Sequence, residues 1–319
     1  MGQSARVRRD PLPLGRPVTA ARALELGVTD KVLRGPRVRR VLRGVYVAAD
    51  VPDSLQLRCE AAGLVIPRGA ALSHETAVAL RRLPLPLGHP EAEPALHVTV
   101  PQGRARVRIP GIVAHEAAWL SGDVVRLRGL ALTSVGRTWC DLACTGWRRD
   151  DLVAYADAVL RRAGPAGLDA LSQRVECWPG QRGVRVLREA LELCAFRVDS
   201  AMETRLRLGL HDAGLPAPEV NEPVRDGFGD VVHRPDLSWR QYRYALDYDG
   251  AHHLEFDDPA AVLAGRRTDW RRRHDISRQE QLRELGWTLT VVTAYDLLRE
   301  PDTLIARVRR QLRDRGAPC

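Results

Sequence analysis

The chain has 319 residues, 45% hydrophobic and 28% charged, a composition that suits two or three folded domains with real cores. The formal net charge of +9 favours a polyanionic partner, and no apolar run approaches the ~18 residues of a membrane span, so a transmembrane protein is not expected. Residues 1–50 carry eleven Lys/Arg against four Asp/Glu, and Lys31 is the only lysine in the chain. Met1–Asp10 is basic without an apolar stretch, which does not read as a secretory signal. The six cysteines show no Cys-x-x-Cys spacing and read as core thiols of a reducing cytosol. A cytoplasmic protein is expected.

Residues 1–17 are rich in Arg and Pro and read as a flexible basic arm. Thr19 can cap a short helix from Ala20 to Leu26, which Gly27 stops. Thr29 or Asp30 can cap a second, Lys31–Arg34, and Gly35-Pro36 breaks it. The basic run Arg37–Arg43 leads into a strand, Gly44-Val45-Tyr46-Val47. Helix, turn, helix and a basic strand pair is the layout of a winged helix-turn-helix. Arg34, Arg37, Arg39, Arg40 and Arg43 then lie along its recognition helix and wing, where they can meet phosphates. The plainer alternative is a solvated basic surface.

In the middle section Ser73 opens a helix with its hydroxyl as cap, Leu96–Val100 alternates like a strand, Ile112–His115 reads as another, and Thr133-Ser134 starts a helix. His74, His97 and His115 are scattered in sequence, without metal-ligand spacing, and read as structural histidines. Amphipathic helices are expected at Asp151–Arg162 and Val184–Leu193.

The last section reads as a helix from Ser200 to about His211 and strands at Glu219–Arg225, Val231–Trp239 and Arg243–Asp249. A long Arg-rich helix ended by Gly286, a strand at Trp287–Thr293 and a final helix at Tyr295–Leu312 follow. Two strings there gather acids at strand ends: Arg234-Pro235-Asp236-Leu237 and Leu246-Asp247-Tyr248-Asp249-Gly250-Ala251-His252-His253. Carboxylates are costly to bury and repel one another, so such a group has a use for a cation. Asp236 and Asp247 on adjacent strands can share a divalent metal, Mg2+ or Mn2+, through hard oxygens. Glu203 can orient a water, and His253 (or His252) can act as a general base. Arg271 and Arg278 can hold the phosphate backbone.

Each residue also has a plainer role. Ser200 and Glu203 have capping-box spacing, Asp249-Gly250 is a turn signal, Asp236 can cap a turn, and Asp275 with Arg278 can pair on a helix face.

The order Pro235-Asp236, then Asp247-Tyr248-Asp249, resembles the restriction-endonuclease-like nucleases. More closely, the chain is similar to the small nucleases related to very-short-patch mismatch repair. That resemblance rests on Arg234-Pro235-Asp236-Leu237, on Asp247 to His253, and on Asp275-Ile276-Ser277-Arg278 with Leu282, Gly286 and Trp287. It covers about residues 198–315. It implies an αβββαβα fold and metal-dependent phosphodiester hydrolysis, with Asp236, Asp247, Asp249, His253 and Glu203 at the site. Asp249 stands where the superfamily has lysine; in the mismatch-repair-like branch a histidine is thought to take over.

The front half resembles the AbiEi-type antitoxin domain over about residues 18–145. The matching strings are Arg43-Gly44-Val45-Tyr46, Leu72-Ser73-His74-Glu75-Thr76-Ala77, and Leu132-Thr133-Ser134 with Arg137-Thr138 and Asp141-Leu142-Ala143. In that family the winged helix represses its own operon, which implies DNA as partner and a cognate toxin as another.

The expected architecture is a multidomain α+β chain: an arm at 1–17, a winged helix-turn-helix at 18–70, an α+β domain at 71–195 and an endonuclease-like domain at 196–319. The expected function is a metal-dependent DNA endonuclease in defence or DNA repair. The alternative is a non-catalytic DNA-binding regulator with a degenerate nuclease domain, and an RNA substrate is a third reading.

Overall fold

The structure, a computed structural model, describes residues 12–89, 95–103, 107–250 and 279–318. It is a mixed α+β chain that divides into two units, Met1–Thr145 and Gly146–Cys319. The sequence placed a boundary near 195; the division falls between Thr145 and Gly146 instead.

In the first unit, strand β1 (Val18–Thr19) is followed by helices α1 (Ala20–Glu25) and α2 (Asp30–Leu33) and the hairpin β2 (Val38–Leu42) and β3 (Val45–Ala48). The three strands form one antiparallel sheet, ordered β1-β3-β2. Thr19 and Thr29 cap the two helices through their hydroxyls, as their residue types favour. Of the expected basic arm, residues 12–17 are described and belong to the fold. Leu14 is fully buried against Ala23, Val28 and Leu33, and its carbonyl accepts the Ala48 amide at 3.0 Å.

A second sheet follows, with helices α3 (Leu55–Gly63), α4 (His74–Leu80) and α5 (Val135–Cys144). Its strands are β4 (Ala71–Leu72), β5 (Leu96–Pro101), β6 (Ile112–Ala117), β7 (Val124–Leu127) and β8 (Leu130–Thr133), ordered β6-β5-β4-β8-β7. Strand β5 runs parallel to β6 and antiparallel to β4. Leu42 and Val45 of the hairpin share one core with Leu72, Val98 and Leu132 of this sheet. The hairpin region and the middle sheet thus share a core within the first unit.

The second unit opens with α6 (Arg149–Ala163), α7 (Pro165–Glu176), α8 (Val184–Leu193) and α9 (Ala201–Asp212). Helix α7 was not among the expected elements. Pro165 sits at its start, where its missing N–H costs nothing. Asp157 on α6 joins the helices: it accepts from the Ala195 amide, the Thr204 hydroxyl and the Arg207 guanidinium.

Strand β9 (Glu219–Val220), the hairpin β10 (Val224–Arg225) and β11 (Val231–His233), then β12 (Leu237–Trp239) and β13 (Tyr244–Asp249) follow. After a helical stretch at 279–284 come β14 (Thr288–Thr293), α10 (Ala294–Arg299) and α11 (Pro301–Arg313). The four-stranded sheet is ordered β14-β13-β12-β9, with β13 and β14 parallel and the other pairs antiparallel. Its core joins Leu206 and Leu210 of α9, Trp239, Tyr244 and Leu246 of the sheet, and Leu304, Val308 and Leu312 of α11. Each such side chain contributes roughly 1.5–3 kcal/mol on burial.

Candidate functional sites

The sheet pairing places the acids. Strands β12 and β13 pair Leu237 with Leu246. Asp236 immediately precedes Leu237 and Asp247 immediately follows Leu246, so the two acids lie beside the same end of this pair. Asp249 lies two residues beyond Asp247, on the same face of β13. Asp236 Oδ2 accepts the Tyr248 amide at 2.6 Å. Burial pushes the Asp236 carboxyl up to about 7. The Tyr248 amide opposes this, while the negative charges of Glu203, Asp247 and Asp199 reinforce it.

Glu203 comes from the first turn of α9 and is buried. The Ser200 hydroxyl caps the Glu203 amide at 3.2 Å, so half of the expected capping box forms. The Glu203 carboxylate turns elsewhere: its Oε2 accepts the Asp199 amide at 2.9 Å and Asn221 Nδ2 at 3.1 Å. Asn221, at φ +49°, also donates its amide to the Asp236 carbonyl at 3.0 Å. One asparagine thus ties the Glu203 carboxylate to the chain that carries Asp236. Asparagine suits this place because it tolerates the left-handed region.

His233 was missed in the sequence. From the end of β11, its Nε2 lies 2.8 and 3.0 Å from the two oxygens of Asp247. Its signal was its place just before Arg234-Pro235-Asp236. An open groove of about 510 Å³ borders Asn221 and Asp199 and carries Arg161, Arg197 and Arg234. His252, His253, Arg271 and Arg278 lie outside the described residues.

The basic hairpin is divided in its contacts. Helix α2 is a single turn, too short to span a groove as a recognition helix. Arg34, Arg40 and Arg43 are exposed. Arg39 is engaged within the fold: it donates to the Val51 carbonyl at 3.0 Å and lies 3.5 Å from Asp53. Arg37 is half-buried.

The middle histidines are a correction. They do not lie scattered: His74, His97 and His115 meet, with ligating nitrogens all within 4.8 Å of one another. His74 opens α4, His97 is on β5 and His115 is on β6. The imidazoles of His74 and His115 stack with centroids 3.7 Å apart, and His97 Nδ1 lies 2.9 Å from His115 Nε2. Ser73 precedes α4 but does not cap it. Its hydroxyl instead accepts from Thr99 at 2.8 Å and meets His74 Nδ1 at 2.9 Å. Burial drives the His74 pKa down to about 2, with His115, His97 and Arg137 adding to the effect. Burial likewise lowers those of His97 and His115. This trio is a set of neutral nitrogen donors able to hold a metal ion.

Among the described residues this trio is the group of three or more ligating side chains gathered closely enough to hold a metal ion, and its imidazoles suit a borderline cation. Among the described residues no helix is long and apolar enough to cross a membrane.

An α+β chain with these two clusters matches no family model and no solved structure. It is similar to two curated proteins of Mycobacterium tuberculosis, uncharacterized protein MT2308 and uncharacterized protein Rv2248. Each is 32% identical over 274 residues, which span 86% of this chain and 92% of the relative. The chain belongs to the family of these mycobacterial proteins.

Proposed function

We propose that the chain is a metal-dependent DNA endonuclease whose second unit carries a restriction-endonuclease-like site. The observation that supports this reading is that Asp236 and Asp247 flank the Leu237–Leu246 pair of β12 and β13, with buried Glu203 linked through Asn221 to the backbone of Asp236. The order α9, β9, β12, β13, β14, with β14 parallel to β13, supports it.

Asp236 and Asp247 are the residues to hold Mg2+ or Mn2+, and the raised Asp236 pKa fits a carboxyl placed among negative charges that a cation would relieve. A bound divalent ion supplies Lewis-acid polarisation of a phosphate oxygen and lowers the pKa of its water. Glu203, fixed by two donors to its Oε2, is the acid to orient a water beside Asp236 and Asp247. His233 holds the Asp247 carboxylate in place through Nε2. Arg161, Arg197 and Arg234 line the adjoining groove and meet a phosphate backbone there. Arg40 and Arg43 on the hairpin add sequence-independent contacts.

A regulator without catalysis is favoured by one observation: Asp249 stands in the place of a motif lysine, and the chain has no lysine but Lys31. Thermal melting separates the two readings. For the nuclease, Mg2+ at about 100 times its Kd stabilises the wild type by about 2.7 kcal/mol, and Asp236→Asn abolishes the gain. For the regulator no Mg2+-linked gain is seen, while duplex binding survives Asp236→Asn. Arg40→Ala with Arg43→Ala then weakens that binding across sequences and lowers its salt dependence.

A further inference from the structure

The histidine cluster of the first unit has no part in the proposed cleavage. Its three members come from three elements, and the parallel pairing of β5 with β6 brings two of them together: Thr99 pairs with His115, two residues beyond His97. Three features go beyond simple packing. His74 holds φ +49°, in the left-handed region that few residues other than glycine enter, histidine, asparagine and aspartate most readily, and where such residues cluster at tightly constrained sites. The Ser73 hydroxyl, itself accepting from Thr99, is placed to accept from His74 Nδ1 and so to leave the Nε2 lone pair available. A hydroxyl on the far nitrogen of an imidazole is the arrangement that orients metal-ligating histidines. Glu75 Oε2 lies 3.4 Å from His97 Nδ1, which brings a carboxylate to the edge of the cluster.

We propose that His74, His97 and His115 bind one Zn2+ through one imidazole nitrogen each, with Glu75, whose Oε2 lies 3.4 Å from His97 Nδ1, as the carboxylate for the remaining position. The donor separations are close to those zinc needs, and the stacked imidazoles have to turn for their in-plane lone pairs to converge on the ion. Tetrahedral zinc with Zn–N of about 2.0–2.1 Å sets its nitrogens roughly 3.4 Å apart. His97 Nδ1 and His115 Nε2 start at 2.9 Å, and all three donors fall within 4.8 Å. Imidazole nitrogen selects zinc over magnesium. The ion would clamp the start of α4 to β5 and β6, a role in holding the first unit together. This site is independent of the nuclease reading, since Asp236 and Asp247 belong to the other unit.

The test is a zinc titration by calorimetry on untagged full-length protein stripped with chelator, with the absorption spectrum of the Co2+-substituted protein recorded alongside. One Zn2+ per chain is expected, with the ligand-field bands of four-coordinate cobalt and a higher melting temperature with zinc but not from this site with magnesium. His97→Gln with His115→Gln should weaken binding by at least roughly 100-fold, and Ser73→Ala, which keeps all ligands, by roughly 10–100-fold. Asp236→Asn should bind zinc as the wild type does. If the double histidine variant fails to fold, the cobalt spectrum and Ser73→Ala decide. The proposal is overturned if the wild type takes up no stoichiometric zinc, if cobalt stays six-coordinate, or if the Ser73 and histidine variants bind as tightly as the wild type. In that case the trio is a buried hydrogen-bonded cluster only.

Discussion

Asp236 is the residue on which most of the site turns. Its carboxyl is half-buried, accepts one backbone amide and faces three other acids. The folded state raises its pKa, so this group supports the fold fully below its unfolded value of about 4, and that support is lost as pH rises through about 7. Asp236→Asn removes the loss. In chelator the variant should match the wild type near about pH 4 and exceed it by roughly 1–2 kcal/mol near about pH 8, a discounted figure because water reaches the carboxyl. Urea melts across pH check this, and parallel profiles for the two proteins would contradict it. His233 and Asn221 belong to the same residue-level account. Neither carries a motif signal of its own: one holds Asp247 and the other holds Glu203, and such second-layer partners are visible only once strands are paired.

At the scale of elements, local chemistry was legible and long-range pairing was not. Thr19, Ser134 and Ser200 cap the helices that their positions suggested. The expected strands Glu219–Arg225 and Val231–Trp239 each break in the fold, at Asn221 with its positive φ and at Arg234-Pro235-Asp236. The final helix also breaks, with Pro301 opening α11, as proline's missing donor dictates. The histidine trio was illegible because its members stand 23 and 18 residues apart, and nothing local sets the register of parallel strands. The string Arg137-Thr138 with Asp141 proves to be a framework. Arg137 donates to Asp141 at 2.8 Å, to Asp123 at 3.2 Å and to the Ala118 carbonyl at 3.0 Å, all in a buried setting. Arg137→Ala removes the cation that pairs with two buried carboxylates and should cost about 3–5 kcal/mol. Chemical denaturation measures this; a loss under about 1 kcal/mol would mean that the network carries little of the unit's stability.

For the whole molecule, the mixed α+β character was legible in the sequence, and the chain groups into two units, Met1–Thr145 and Gly146–Cys319. The hairpin and the middle sheet share a core, and α6 to α8 fold with α9. Buried polar ties such as Asp157 to Thr204 and Arg207, which join residues 47 and 50 positions apart, make that grouping. The charge pattern spans both units: seven of the nine excess positive charges fall in residues 1–50, while Asp236 and Asp247 lie in the second unit. A polyanion drawn by the first and cut by the second is the reading that unites them. The most direct test incubates purified protein with supercoiled plasmid in Mg2+ and in Mn2+, beside the double variant Asp236→Asn/Asp247→Asn. The account predicts nicked or linear plasmid from the wild type, none in chelator and none from the double variant. No cleavage by the wild type in either metal, or equal cleavage by the variant, would contradict it.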